Sequence, residues 1–313
     1  MAEIYDHLII GAGCAGASGA MYSARLSMKT AMVAILPGGL ITTTHIVENW
    51  PGIKEISGPD LAQSLLDHAM SYDVPLLNET VTEIRKATEN PPEGKQSGYI
   101  VKTKSNEYMA KTLLLATGTE HKKMGVPGEA ELTNKGVSYC ALCDSGFVKG
   151  KVVGIVGGGD SAAKEALLLS ELCEKVYIFV RGEELIAEAP NMKRLKEASN
   201  VEIMLKTEIT EILGTEKVEK VKLKSGDEIS LEGLFIAIGH YALSDLAKLV
   251  GVELTERGEV KVDRNSATNM PGIFAAGDVT DSKFKQAITS AASAVNGAYG
   301  AFEYLQSNDV VFD

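Results

Sequence analysis

Gly11-Ala12-Gly13-Cys14-Ala15-Gly16, preceded by the apolar run Tyr5-Asp6-His7-Leu8-Ile9-Ile10, decides how the chain is read. A small-residue stretch of helical spacing, Ala17 to Leu26, comes next, and a β-rich run, Thr30 to Leu36, follows. Strand, glycine turn, helix, strand is the opening of a dinucleotide-binding fold, and G-x-G-x-x-G carries weight only in that setting. The glycines have separate tasks. Gly11 permits the tight turn, Gly13 lets backbone approach a pyrophosphate, and Gly16 lets the helix lie close on the strand. The helix N-terminus then offers unpaired N–H groups and a positive dipole end to phosphate. The acid expected at the end of the second strand for the ribose hydroxyls is missing; Leu36-Pro37 stands there.

The unit recurs. Lys151-Val152-Val153-Gly154-Ile155-Val156 reads as a strand, and Gly157-Gly158-Gly159-Asp160-Ser161-Ala162 fits G-x-G-x-x-A. Ala163 to Leu172 has helical spacing, and Val176 to Val180 is a second strand. Two complete units imply two nucleotides, most simply a flavin dinucleotide and a nicotinamide, or a duplicated fold with one site abandoned. Two strand-then-glycine segments, Lys111 to Ala116-Thr117-Gly118 and Leu234 to Gly239, lie where the chain could cross between domains. Residues 89–98 read as an exposed hairpin turn or loop. Gly272 to Gly277-Asp278 is another strand closing on glycine and an acid, and an alanine-rich helix, about Gln286 to Leu305, follows it.

Composition narrows the class. The 313 residues make about two domains. Hydrophobic residues at 45% against 23% charged exclude a disordered chain. A net charge of −11 repels phosphate backbones, so no nucleic-acid partner is expected. No apolar run approaches the length of a membrane helix, so no membrane partner is expected either. Met1-Ala2-Glu3-Ile4-Tyr5-Asp6 carries acids where a secretory signal carries lysine or arginine, and the chain reads as cytoplasmic.

Cys140 and Cys143 form a C-x-x-C, a redox or metal signal in a cytosolic α/β protein. Zinc needs about four ligands, and there is no second C-x-x-C; His7, His45, His68, His121 and His240 show no metal spacing. No metal site is expected. At the start of a helix such a pair cycles between dithiol and disulfide, because the helix end and the neighbouring thiol favour a thiolate. Cys14 and Cys173 read as small packing residues.

Taken together, these motifs resemble the low-molecular-weight thioredoxin reductases, two-domain FAD enzymes with a C-x-x-C in the nicotinamide domain. The likeness runs over nearly the whole chain, through Gly11 to Gly16, Thr42 to Gly52, Ala116 to Gly118, Cys140 to Asp144, Gly157 to Ala162, and Gly277-Asp278 to Gln286-Ala287. It implies an α/β fold of two Rossmann-like FAD/NAD(P)-binding domains, the second inserted into the first. An FAD domain would comprise 1–117 plus 244–313, and an NAD(P)-type domain 118–243.

By this resemblance Gly11, Gly13, Cys14, Ala15, Gly16, Ala116, Thr117 and Gly118 surround the flavin nucleotide. Asn49 and the Thr42–Thr44 turn, Thr44 included, would line the flavin ring, Asp278 would hydrogen-bond the ribityl chain, and Gln286-Ala287 would sit against the flavin, with Gly39 and Gly277 also among the cofactor-binding residues. Lys285 stands where the family usually has arginine, keeping charge but losing the planar fork. Cys143 would face the flavin, Cys140 would attack the partner's disulfide, and Asp144 would protonate the leaving thiolate. The partner would be a thioredoxin-like protein, and the enzyme a homodimer.

Gly157, Gly159, Asp160, Ser161 and Ala162 would hold a nicotinamide dinucleotide, with Arg181 beyond the next strand. Relatives that use NADPH carry a histidine, two arginines and a further arginine there. Val180-Arg181-Gly182-Glu183-Glu184-Leu185-Ile186 keeps Arg181 alone. A 2′-phosphate wants clustered, bidentate cations, so weak NADPH use is expected, with NADH, ferredoxin or a deazaflavin as the replacement. Two other readings stay open: a reductase or oxidase of a small-molecule disulfide or a peroxiredoxin partner, and a non-enzymatic flavin redox sensor.

Overall fold

Leu8, Ile9 and Ile10 are all buried, as a strand covered on both faces of a parallel sheet requires. The computed structural model describes residues 3–44 and 47–312, which leaves His45 outside the described residues. The described residues form two units, 3–43, 50–120 and 241–312 in one, 44, 47–49 and 121–240 in the other.

The first unit is built on a seven-stranded sheet, six strands in the order Leu76–Leu77, Thr30–Val33, Ile4–Ile10, Glu107–Leu115, Tyr99–Thr103, Val81–Lys86 and a seventh, Ile273–Ala275, off that path. Ile4–Ile10 runs parallel to both its neighbours, Leu8 lying between Ala31 and Leu113. The early part of Glu107–Leu115 pairs antiparallel with Tyr99–Thr103, and its end pairs parallel with Ile273–Ala275. One face is filled by Tyr5, Leu8, Tyr99, Val101 and Leu113. The other holds Ile9, Met32, Leu114, Phe274 and the alanines of the helices Cys14–Arg25 and Ala287–Ser307. Each large apolar side chain so buried contributes about 1.5–3 kcal/mol relative to exposure.

Two details differ from the sequence reading. The second strand stops at Val33, short of Leu36, because Ile35 and Leu36 turn outward and lead into a 3₁₀ turn at Gly39–Thr43. Within the stretch read as loop, Lys95–Ser97 forms a strand parallel to Asp309–Val311. Sequence periodicity cannot show a pairing between segments so far apart.

The second unit holds a five-stranded parallel sheet ordered Val201–Met204, Lys175–Phe179, Val152–Val156, Gly233–Ile236, Val137–Ser138. This is the 3-2-1-4 sequence of a nucleotide-binding half, whose ligand lies beyond the carboxyl ends of the strands. Helix Asp160–Ser170 covers it with Ala162, Ala163, Ala166 and Leu169, all buried. A three-stranded antiparallel layer, Ile209–Leu213, Lys220–Leu223 and Glu228–Ser230, closes a second core around Phe179 and Leu234. Among the described residues no helix is long and apolar enough to cross a membrane.

Candidate functional site

The first glycine turn is a cradle of bare backbone. Gly13 precedes helix Cys14–Arg25, and no side chain caps that end, so its first N–H groups are left as donors for a ligand. At Gly11 an added Cβ would sit 2.2 Å from the carbonyl oxygen of Ala116, and at Gly16 1.9 Å from that of Gly11. Strand, turn and helix can meet this closely only through glycine. Gly39 lies across the cradle, where its own Cβ would be 3.1 Å from Gly13 Cα. The Ala116 N–H donates to Ile10 O at 2.8 Å, and the Thr117 hydroxyl to Leu243 O at 2.6 Å. Gly118 follows with φ +72°.

Asp278 closes the edge of this cradle from the turn Gly277–Val279, its Oδ1 accepting from the Ser290 hydroxyl at 2.9 Å. Burial first, then the Asp278 charge, pushes the Cys14 thiol up to about 12, so Cys14 stays protonated beside Ala15 as inert lining. Gln286 caps helix Ala287–Ser307 in a reciprocal box with Thr289. The Lys285 ammonium donates to Asp278 O at 2.7 Å and Thr280 O at 2.6 Å, and pairs with Glu259 at 2.9 Å. Its three protons have three oxygens within the fold, so it braces the loop that carries Asp278. A glycine cradle, an uncapped helix end and a carboxylate at one rim suit a dinucleotide with a polyol chain. These residues fit FAD.

The second turn repeats the design with a more open top. An added Cβ at Gly157 would lie 2.6 Å from Ala237 O, the counterpart of Gly11 against Ala116, whereas at Gly159 it meets nothing within 4 Å. Helix Asp160–Ser170 has no side-chain cap either. Asp160 turns aside instead. It accepts from the Glu188 N–H and the Asn191 amide, both at 2.9 Å, and pairs with Lys164 at 2.7 Å. The Lys164 bond, then the other two, holds its carboxyl at about 2. Ser161 is exposed, and Ala162 is buried under the turn. Arg181 stands exposed past the strand Lys175–Phe179, among Glu183, paired with Lys206, and Glu208, paired with Lys224. The open glycine face fits a dinucleotide, and the mixed charges beyond it do not form a cation cluster.

Cys140 and Cys143 are joined in a disulfide with Cα atoms 5.3 Å apart. Cys140 caps the short helix Ala141–Asp144, and its Sγ accepts the Cys143 N–H at 3.2 Å. Both cysteines and Asp144 are half-buried, and Leu142 between the sulphurs is 46% exposed, so the turn faces outward. Thr44 and Asn49 cluster with this unit rather than with Gly39. The Glu48 carboxylate lies 3.7 Å from where a Cβ of Gly146 would stand, just past the redox turn.

Three residues around the disulfide have no mark in the sequence reading. The buried Ser138 hydroxyl donates to Asp144 Oδ2 at 2.6 Å and accepts the Cys140 N–H at 3.1 Å. It therefore ties the carboxyl to the turn that carries the sulphurs. Glu165, on the helix after the second glycine turn, accepts the Ala141 N–H at 3.3 Å. Glu129, 3% exposed, takes the N–H groups of Met124 and Gly125 and the Tyr139 hydroxyl, fixing the approach to Cys140. Ser138 was findable as a serine two residues before a turn. Glu165 and Glu129 act across the fold, where spacing gives no signal.

Known proteins share this arrangement. A family profile described as pyridine nucleotide-disulphide oxidoreductase matches residues 5–298. A thioredoxin reductase from Streptococcus pyogenes is 33% identical with a TM-score of 0.89, covering 98% of this chain and 100% of that one. A ferredoxin-flavin thioredoxin reductase from Clostridium acetobutylicum is 31% identical with a TM-score of 0.52, covering 97% and 99%. The F component of alkyl hydroperoxide reductase from Staphylococcus aureus is 37% identical over 312 residues, which are 98% of this chain. The chain spans 60% of the length of that relative.

Proposed function

Given that the chain belongs to the pyridine nucleotide-disulphide oxidoreductases, in the low-molecular-weight thioredoxin reductase family, we propose that it reduces a disulfide on a thioredoxin-like protein. As a family member it is a flavoprotein disulfide oxidoreductase whose cofactors are FAD and a nicotinamide dinucleotide. The first glycine turn and Asp278 would hold FAD, whose chemistry when bound would be to supply an electron pair for disulfide reduction. In the reading offered here the remaining work falls to side chains of this chain. Cys140 attacks the partner's disulfide as a thiolate, and a mixed disulfide forms while one partner thiolate leaves. Asp144, oriented by Ser138, donates the proton that the leaving sulphur takes up. Cys143 gives its proton to Asp144 and attacks Cys140 Sγ, so the internal disulfide re-forms and the second partner sulphur leaves and takes up that proton.

The observation that carries this reading is the outward-facing disulfide with a carboxyl held on the same turn. Cys143→Ser tests it. The variant should lose protein-disulfide reduction by more than about a thousandfold while its flavin is still reduced by the donor at the wild-type rate. Retained turnover with the partner would defeat the proposal, and so would a wild type with none, which is the behaviour of a sensor.

A peroxiredoxin-type partner is a second reading, favoured by the 37% identity to the alkyl hydroperoxide reductase component. Assaying both partner types with one preparation separates the two. The donor in this proposal is NADH, because Arg181 stands among glutamates and a 2′-phosphate finds no second arginine beside it. A cytoplasmic homodimer completes the proposal, and sedimentation of the purified holoprotein checks the dimer.

A further inference from the structure

Glu165 is a partly buried carboxyl that the exchange chemistry above does not use. It sits on helix Asp160–Ser170 and reaches the redox turn by a single hydrogen bond, from the N–H of Ala141, at 3.3 Å. Ala141 is fully buried and lies directly between Cys140 and the remaining turn, so this contact is made on the inner side of the disulfide. Asp144, at the end of the same turn, is held separately by the buried Ser138 hydroxyl. Two carboxyls thus hold one redox turn, Asp144 from within it and Glu165 from the neighbouring helix.

We propose that Glu165 is a positioning residue for disulfide exchange: bound to the Ala141 N–H, its carboxyl sets the charge beneath the turn and so governs how readily a thiolate forms at Cys140. The inference rests on the reading of Cys140 and Cys143 as the exchanging pair.

The physical argument is a balance of donors and charge. In the disulfide form the Cys143 N–H donates to Cys140 Sγ at 3.2 Å, while the Ala141 N–H is engaged by Glu165. An ionised Glu165 places a negative charge behind the sulphurs and opposes a second one; a protonated Glu165 does not. Burial pushes this carboxyl up to about 7, against the pull of the Ala141 bond, so it changes charge in the working range of a thiol.

The other charges facing it are accounted for. On its own helix Asp160 and Lys164 pair with each other. The helix Ala189–Glu197 packed against it carries Lys193, paired with Glu197, together with Arg194 and Lys196. Strand Val152–Val156 carries none, Lys175 on the next strand pairs with Glu202, and Ala141–Asp144 brings Asp144. None of these is a cause of the Glu165 shift, which comes from burial and the Ala141 bond.

The test uses the holoprotein, reduced with dithiothreitol, freed of reductant without air, and treated with iodoacetamide from about pH 5 to about pH 9. Mass spectrometry follows the rate of labelling at Cys140 in wild type, Glu165→Gln and Glu165→Asp. The Gln variant should label at the wild-type rate near pH 5.5 and about three- to tenfold faster near pH 8, where wild-type Glu165 is ionised. The Asp variant, which keeps the charge, should follow wild type. A ratio that stays flat across the range, or an Asp variant that behaves as Gln does, overturns the inference and leaves the proposed function standing. If Cys140 takes no label at any pH, the exchanging pair and this inference fall together.

Discussion

The two glycine turns follow one plan and end in different places. Around Gly11 to Gly16 the helix start is sunk in the protein: Cys14, Ala15 and Gly16 are buried, Gly39 lies over Gly13, and Asp278 closes the edge. Around Gly157 to Ala162 the same backbone opens outward, with Gly158, Gly159 and Ser161 exposed and Asp160 tied into a rim of charges. Burial of that kind suits a dinucleotide that stays, and an open, charged rim suits one that comes and goes. The difference teaches that one glycine motif can be set in two environments, closed over at Gly13 and open at Gly159.

Gly11→Ala and Gly159→Ala should break the comparison most sharply. At Gly11 the new methyl meets backbone 2.2 Å away at φ +110°, so unfolding free energy should fall by more than about 3 kcal/mol, with loss of bound flavin on gel filtration. At Gly159 the methyl enters open space. Stability there should stay within about 0.5 kcal/mol and flavin should remain bound, while the KM for the nicotinamide donor rises. Equal loss of flavin in both would erase the distinction.

Acid should act on the first unit through one buried histidine. His7 is fully buried in the central strand, its Nδ1 sharing a 2.7 Å hydrogen bond with the Thr112 hydroxyl. That hydroxyl donates to Asp6 O, so the imidazole is the donor and its Nε2 has no partner among the described residues. Burial drives the ring from 6.5 down to about 3. A depressed histidine leaves stability whole above the unfolded value and removes it as pH falls towards the folded one. The slope between about pH 6.5 and pH 3 is about 1.4 kcal/mol per pH unit. Urea unfolding at pH 7 and pH 5 should differ by about 2 kcal/mol more in wild type than in His7→Gln. An equal pH dependence in both proteins would show that the burial argument is wrong.

The smallest expected effect sharpens the open rim. NADH should bleach the flavin faster than NADPH in the absence of air. Glu183→Arg should then move the ratio towards NADPH by about tenfold, the worth of one added charge-assisted contact. Rapid bleaching of wild type by NADPH alone would count against the donor assigned here.

What could be read from the chain was whatever repeats locally. Leu8-Ile9-Ile10 before glycines and small residues spells strand, turn and helix within one window, twice, so fold class and family were legible. Cys140 and Cys143 announced themselves by spacing. The pairing of Lys95–Ser97 with Asp309–Val311 was hidden, because the partners lie far apart in the first unit's sequence. Glu165 was hidden for the same reason: it reads as one more polar position on an amphipathic helix until the fold brings Ala141 to it. Lys285 read as a weaker arginine, when its protons in fact meet three oxygens of its own loop region.

That last arrangement has a bearing on protein engineering. An engineer seeking extra charge-assisted contacts could be drawn to arginine at 285, since it offers more donors. Three acceptors converging on one nitrogen need a tetrahedral head, and a flat, broader guanidinium cannot direct its hydrogens to a single point. Such a swap would give up a contact set that the present side chain already completes.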